Sequence, residues 1–140
     1  MGKMISKIVK GNSHVDLRGT LFYNNEFDME AIRRIYVIEN KSIDVIRAWQ
    51  GHTIEQRWFS AIKGSFKIEL IAIDDWNMPS KKLERLQYIL DSTKLDVLHV
   101  PSGCISSIQS LEEGSKLLVM ADYLMGEIED QFRFPVDYFD

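Results

Sequence analysis

What most limits the folds open to this chain is a succession of short β-branched, aromatic or alternating runs, each stopped by turn-forming residues. The runs are Ile5 to Val9, Leu17 to Tyr23, Ile32 to Ile38, Val45 to Trp49, Gln56 to Ile62, Phe66 to Ile73, Leu86 to Leu90, Val97 to Val100, Ile105 to Ile108 and Lys116 to Tyr123. Such residues suit a pleated surface, and a period of two sends alternate side chains to one face. Between the runs stand Asn12-Ser13, Asn24-Asn25, Asn40-Lys41-Ser42, Lys63-Gly64-Ser65, Pro79-Ser80, Pro101-Ser102-Gly103 and Glu112-Glu113-Gly114. Short strands at fairly even spacing predict a barrel or sandwich. Helical signals are few. Asp28 to Ala31 predicts a single turn, and Gly126 to Phe132 a short terminal helix that stops before Pro135. The polar segment Asp74 to Arg85, which carries Pro79, reads as a long connection between strands. With no linker, internal repeat or low-complexity tract, residues 1–140 read as one all-β domain.

Composition narrows the partners. The chain is 45% hydrophobic and 27% charged, ordinary for a globular protein, and its net charge of −4 gives no basic face for nucleic acid or a membrane surface. Positive charge is nevertheless clustered at Arg33-Arg34, Arg47 and Arg57, enough to hold a small anion. The one cysteine, Cys104, cannot form an internal disulfide, which favours a reduced, cytoplasmic location. Met1 to Lys7 has neither the apolar run nor the cleavage site of a signal peptide, and no segment approaches the roughly 20 apolar residues of a membrane span. Met1-Gly2 followed by Ser6 formally matches a myristoylation start, a pattern too short to carry weight.

Two stretches hold the side chains that could do chemistry. One is Arg47-Ala48-Trp49-Gln50-Gly51-His52-Thr53-Ile54-Glu55-Gln56, and the other is Pro101-Ser102-Gly103-Cys104-Ile105-Ser106. A metal-binding cupin barrel has a His-x-His with a carboxylate and a Gly turn in the first place, and Pro-x-Gly-x-x-His in the second. Here Gln50-Gly51-His52 stands for His-x-His, Gln56 falls near the carboxylate position, Gly64 supplies the turn and Ser106 replaces the last histidine. An amide and a hydroxyl are poor substitutes for imidazole around a transition metal, and Glu55 alone does not restore the set. The expectation is no metal and no cofactor.

From Asp16 to Tyr123 the chain resembles the small cupins that act on nucleotide-linked keto sugars: the dTDP-4-dehydrorhamnose 3,5-epimerases and the WxcM-like sugar 3,4-ketoisomerases. The matching pieces are Asp16-Leu17-Arg18-Gly19-Thr20-Leu21, Ile32-Arg33-Arg34-Ile35-Tyr36, the Arg47 to Gln56 stretch, Lys63-Gly64-Ser65-Phe66, Val100-Pro101-Ser102-Gly103 and Ala121-Asp122-Tyr123. Their order and spacing carry the resemblance. It implies a jelly-roll barrel (a double-stranded β-helix) and a metal-independent enzyme. Such an enzyme takes a proton from the carbon beside a ketone, stabilises the enolate and returns a proton elsewhere.

That chemistry needs a base with a pKa near neutrality, preorganised donors for the enolate oxygen, a proton donor, and arginine forks for a diphosphate. His52 is the candidate base. Regular alternation puts it on the same strand face as Gln50, where the ketoisomerase pattern has the histidine usually taken as the base. Gln50 cannot abstract a proton, so His52 has taken over the role or the chain has kept only the binding. A structural histidine bonded to a neighbour is the alternative. Arg57 stands where the epimerase pattern has a lumen-facing Lys and is the candidate for enolate stabilisation. Arg47 is a candidate for the diphosphate; either arginine could instead pair with Glu39, Asp44 or Glu55. Arg18 matches a phosphate-contacting position that can act across a dimer interface. Arg34 and Tyr36 share a strand face and could line the cavity, whereas Arg33 points away. Tyr123, after Asp122, is the candidate acid; the tyrosine that often follows it is Leu124 here. His99 and His14 are weaker candidates, the first for packing and the second for the rim. Phe22, Tyr23, Trp49, Trp58 and Phe59 read first as core.

Two functions remain open. One is an epimerase or ketoisomerase for a nucleotide-linked 4-keto-6-deoxy sugar, in cell-surface polysaccharide or deoxysugar biosynthesis. The other is a non-catalytic cupin that binds a nucleotide sugar or carbohydrate, favoured by Gln50, Ser106 and Leu124. The resemblance also implies a homodimer with exchanged or paired N-terminal strands, which the apolar stretch Met4 to Val9 permits.

Overall fold

A computed structural model describes residues 6–140 as an all-β protein with antiparallel pairing throughout. The strands are β1 (Lys7–Val9), β2 (Asn12–Asp16), β3 (Gly19–Tyr23), β4 (Arg34–Ile38), β5 (Ile46–His52), β6 (Arg57–Lys63), β7 (Ser65–Ala72), β8 (Leu86–Asp91), β9 (Val97–Val100), β10 (Cys104–Ser110), β11 (Lys116–Ala121) and β12 (Gln131–Arg133). Two five-stranded sheets, ordered β1-β9-β6-β11-β4 and β12-β5-β10-β7-β8, face each other; β2 and β3 form a separate hairpin. Neighbours in each sheet are mostly distant in sequence; the runs and turns predicted a barrel or sandwich, and the resemblance implied this jelly-roll arrangement.

Period-two alternation explains the core. In β7, Phe66, Ile68 and Leu70 are wholly buried while Lys67 and Glu69 reach outward. They meet Phe59 and Ala61 of β6, Leu98 and Val100 of β9, and Leu117 and Val119 of β11 between the sheets. Full burial of each large side chain contributes about 1.5–3 kcal/mol, so this seam dominates the favourable energy. A second apolar cluster lies on the outer face of the β5 sheet, where Trp49, Ile71 and Ile105 pack with Phe139, Phe134 and Tyr138. Gly51 sits where the strands are closest: a Cβ there would lie 2.2 Å from the carbonyl oxygen of Cys104 and 2.7 Å from Cα of Ile105. Gly64, alone between β6 and β7, takes φ +69°, a value that suits glycine.

Two expectations are corrected. The predicted helix over Gly126 to Phe132 is a turn followed by β12, which pairs with β5 through Gln131↔His52, Phe132↔Gly51 and Arg133↔Gln50. Gly126 adopts φ +79°, and the open edge of β5 supplies backbone partners that outweigh the helix preference of Glu127, Glu129 and Gln131. Asn12-Ser13, read as a breaker, opens β2; the turn falls instead at Leu17-Arg18, inside the run read as one strand from Leu17 to Tyr23. The single turn expected at Asp28 to Ala31 is present, closed by Ile32 N–H donating to the Met29 carbonyl at 3.0 Å. Met4 and Ile5, the start of the predicted first strand, lie outside the described residues. Among the described residues no helix is long and apolar enough to cross a membrane.

Candidate active site

A cavity of about 400 Å³ opens between the sheets, lined by β4, β5, β6, β10 and the turn before β10. That volume falls within the roughly 300–1,000 Å³ usual for small-molecule sites. Its walls combine Ile38, Phe59, Val100 and Ile108 with the polar side chains of Tyr36, Arg47, Gln50, His52, Glu55 and Arg57. Strand alternation brings Gln50 and His52 to the same wall, as expected, opposite Ser106 and Cys104 of β10. The Gly103 N–H donates to the His52 carbonyl at 2.8 Å, so the Pro101-Ser102-Gly103 turn fixes the end of β5.

His52 is 7% exposed and held by a carboxylate. Its Nδ1 lies 3.1 Å from Asp130 Oδ1, and because an ionised carboxylate only accepts, Nδ1 carries the hydrogen. The lone pair is then on Nε2, which is buried without a hydrogen-bond partner. Asp130 is itself anchored, its Oδ2 accepting the N–H groups of Ile54 at 2.9 Å and Glu55 at 2.7 Å. Burial raises the Asp130 pKa, but the Glu55 N–H, His52 and the Ile54 N–H together hold it below the usual carboxylate value. Burial, with Arg57 nearby, depresses the pKa of His52 despite the opposing pull of Asp130 and Glu55. The imidazole is therefore neutral at neutral pH, as a base must be.

A second group surrounds Arg57. Its Nε and Nη2 donate to Glu55 Oε1 at 2.8 and 2.5 Å, and its Nη1 donates to the Tyr36 hydroxyl. Since the phenolic oxygen accepts from arginine, its own O–H is directed elsewhere and can serve a ligand. Glu55 joins the two groups, with Oε1 3.5 Å from His52 Nδ1 and Oε2 3.9 Å from Arg34. Arg34 lies over the Tyr36 ring, 5.1 Å from its centre. Arg47 donates through Nε to Asn40 Oδ1 at 2.8 Å at the cavity wall. Among the described residues, no group of three or more His, Cys, Asp or Glu side chains is placed to hold a metal ion.

Of the residues singled out in the sequence, His52, Arg57, Tyr36, Arg47 and Gln50 line this cavity. Arg34 lines an adjoining cavity of about 460 Å³ under residues 124–131, which also touches His52, Glu55 and Arg57. Tyr123 is half-buried and lines neither. Arg18 is at the tip of the β2–β3 hairpin, exposed and paired with Asp16 at 2.7 Å, and His14 is on the same hairpin. His99 stacks on Trp58 and contacts Gln56 Oε1 at 2.6 Å, a packing role. Asp130 escaped the sequence reading. It lies 78 residues from His52, inside a segment that reads as helix, and no local signal pairs the two.

The family model described as "FdtA: WxcM-like, C-terminal" matches residues 4–135. No curated protein matches the chain. Among solved structures, a histidine-to-asparagine mutant of the 3,4-ketoisomerase QdtA from Thermoanaerobacterium thermosaccharolyticum, in complex with TDP-4-keto-6-deoxyglucose, is similar with a TM-score of 0.72 and 22% identity, over 96% of this chain and 91% of that one. A 3,4-ketoisomerase from Helicobacter canadensis gives 0.72 and 21%, over 98% and 96%. The dTDP-4-dehydrorhamnose 3,5-epimerase from Bacillus anthracis gives 0.75 and 12%, over 94% and 79%. At these identities the structural likeness establishes the cupin fold, and the match to the family model over nearly the whole length shows that the chain belongs to the FdtA, WxcM-like C-terminal family.

Proposed function

We propose that this protein is an isomerase for a nucleotide-linked 4-keto-6-deoxy sugar, and specifically a 3,4-ketoisomerase that uses no metal. The observation that carries the reading is the buried His52 imidazole, oriented through Nδ1 by Asp130 with Nε2 left free. His52 Nε2 takes the proton from C3, and the electron pair moves through C4 to the ketone oxygen. Tyr36, polarised by Arg57, protonates that oxygen. The imidazolium then delivers a proton to C4 while the C3 hydroxyl returns its proton to the Tyr36 phenolate, leaving the ketone at C3 and both side chains as they began. In net terms C3 loses a hydrogen and C4 gains one, the imidazolium proton exchanging with solvent in between, and one proton passes between the oxygens. Tyr36 takes this acid role rather than Tyr123, because only Tyr36 lines the cavity.

Arg47 and Arg34 are the candidate diphosphate ligands within one chain. Arg18, on the separate β2–β3 hairpin and in the lining of neither cavity, is assigned to the ligand of a second copy, in keeping with a homodimer. The protein acts as one cytoplasmic domain, in a route to deoxysugars or surface polysaccharides. The test is incubation with TDP-4-keto-6-deoxyglucose, followed by NMR. A new 3-keto sugar signal is the expected result. Binding of the sugar without turnover would instead favour the non-catalytic cupin, to which Gln50 and Ser106 point.

A further inference from the structure

We infer that Gln50 is a specificity-determining residue that offers the sugar a fixed hydrogen-bond acceptor, so that a hydroxyl and not the ketone must face it. The inference rests on the reading of the cavity as a keto-sugar site and adds the direction in which the sugar is seated. Its basis is a chain of three polar side chains along the β5–β12 wall. Arg133 and Gln50 are directly paired across the two strands. Between them stands the Gln131 amide; with its oxygen turned to the guanidinium, that oxygen accepts from Arg133 Nη2 at 2.9 Å and Nε at 2.8 Å, and from Gln50 Nε2 at 3.1 Å.

The orientations follow in order. A guanidinium has donors and no acceptor, so Arg133 fixes the Gln131 amide with its oxygen inward. That oxygen can only accept, so Gln50 must turn its NH₂ toward it. Gln50 Oε1 is left without a hydrogen bond among the described residues, on a side chain that lines the cavity. A ketone oxygen has no hydrogen to give it, whereas a hydroxyl has. An imidazole at this position could donate or accept according to tautomer; the tethered amide cannot. Arg57 and Tyr36 present N–H and O–H groups to the ketone elsewhere in the cavity. The polarity of the site is thereby split: an acceptor on the β12 side and donors at the Arg57 group.

Calorimetric binding of TDP, TDP-4-keto-6-deoxyglucose and analogues each lacking one ring hydroxyl tests this, with wild type, Gln50→Leu and Gln131→Leu. In wild type, removing one particular hydroxyl should weaken binding roughly tenfold. That difference should shrink to within about twofold in Gln50→Leu and fall part-way in Gln131→Leu, where the amide is released but present. TDP itself, which has no sugar, should bind all three proteins alike. An unchanged difference in Gln50→Leu, or no penalty for any missing hydroxyl in wild type, overturns the inference while leaving the keto-sugar reading in place. Failure of wild type to bind TDP or the TDP-sugar overturns both.

Discussion

In the proposed reaction His52 serves as the base through Nε2, because its Nδ1 is tied down. Asp130 supplies that tie, and two backbone N–H groups in turn hold the carboxylate. Asp130→Asn keeps the shape but can offer its NH₂ to Nδ1, favouring the tautomer with the hydrogen on Nε2. A fall in kcat of roughly 10²-fold is expected, with little change in KM, because the lost function is proton transfer and not binding. Steady-state kinetics of the variant checks it. The pH profile follows from the same geometry. Burial and Arg57 lower the His52 pKa, so the neutral form persists below the ordinary histidine value near 6.5. The acid limb of kcat/KM should therefore fall below that value, and removal of the cation in Arg57→Gln should move it upward. A limb at or above 6.5 in the wild type would contradict the arrangement. His52 was legible in the sequence because strand alternation predicts its face. Asp130 was not, since only the folded chain joins residues so far apart. Tyr36 was legible as a cavity residue; the acid role proposed for it rests on the Arg57 contact.

At the scale of elements, the site depends on how closely β5 can lie against β10. Gly51 sets that separation, and a methyl group there meets backbone on β10 instead of a yielding side-chain tip. Gly51→Ala should destabilise the protein by about 2–3 kcal/mol through overpacking, read as an earlier midpoint in urea at unchanged slope. A neutral result would mean that β5 and β10 sit farther apart. Strands whose two faces differ in burial, such as β7, are legible because alternation is strict. β12 is not: its three residues and the acidic turn before it have helix-forming character, and only the free edge of β5 makes them a strand. β2 was hidden for a related reason. Its residues are mostly exposed, so no buried face imprints a pattern on the sequence.

At the scale of the molecule, the β2–β3 hairpin pairs with neither large sheet and carries Leu17 fully exposed and Val15 and Leu21 mostly so. Ile35 and Val37 are also exposed on β4, the end strand of its sheet. Apolar surface on a free hairpin and a free sheet edge suits pairing with a second copy. Light scattering should give the mass of two chains, and Leu17→Glu should shift the population toward one; a wild-type monomer at micromolar concentration would refute the dimer. The central claim, that His52 Nε2 removes a proton beside a ketone, is tested most directly by incubating the protein in deuterated water with TDP-4-keto-6-deoxyglucose and locating the label by mass spectrometry and NMR. Deuterium should enter at C3 or C4, should disappear with His52→Asn and should persist with His14→Asn. Undiminished incorporation by His52→Asn, or none by a wild-type protein that binds the sugar, would contradict it.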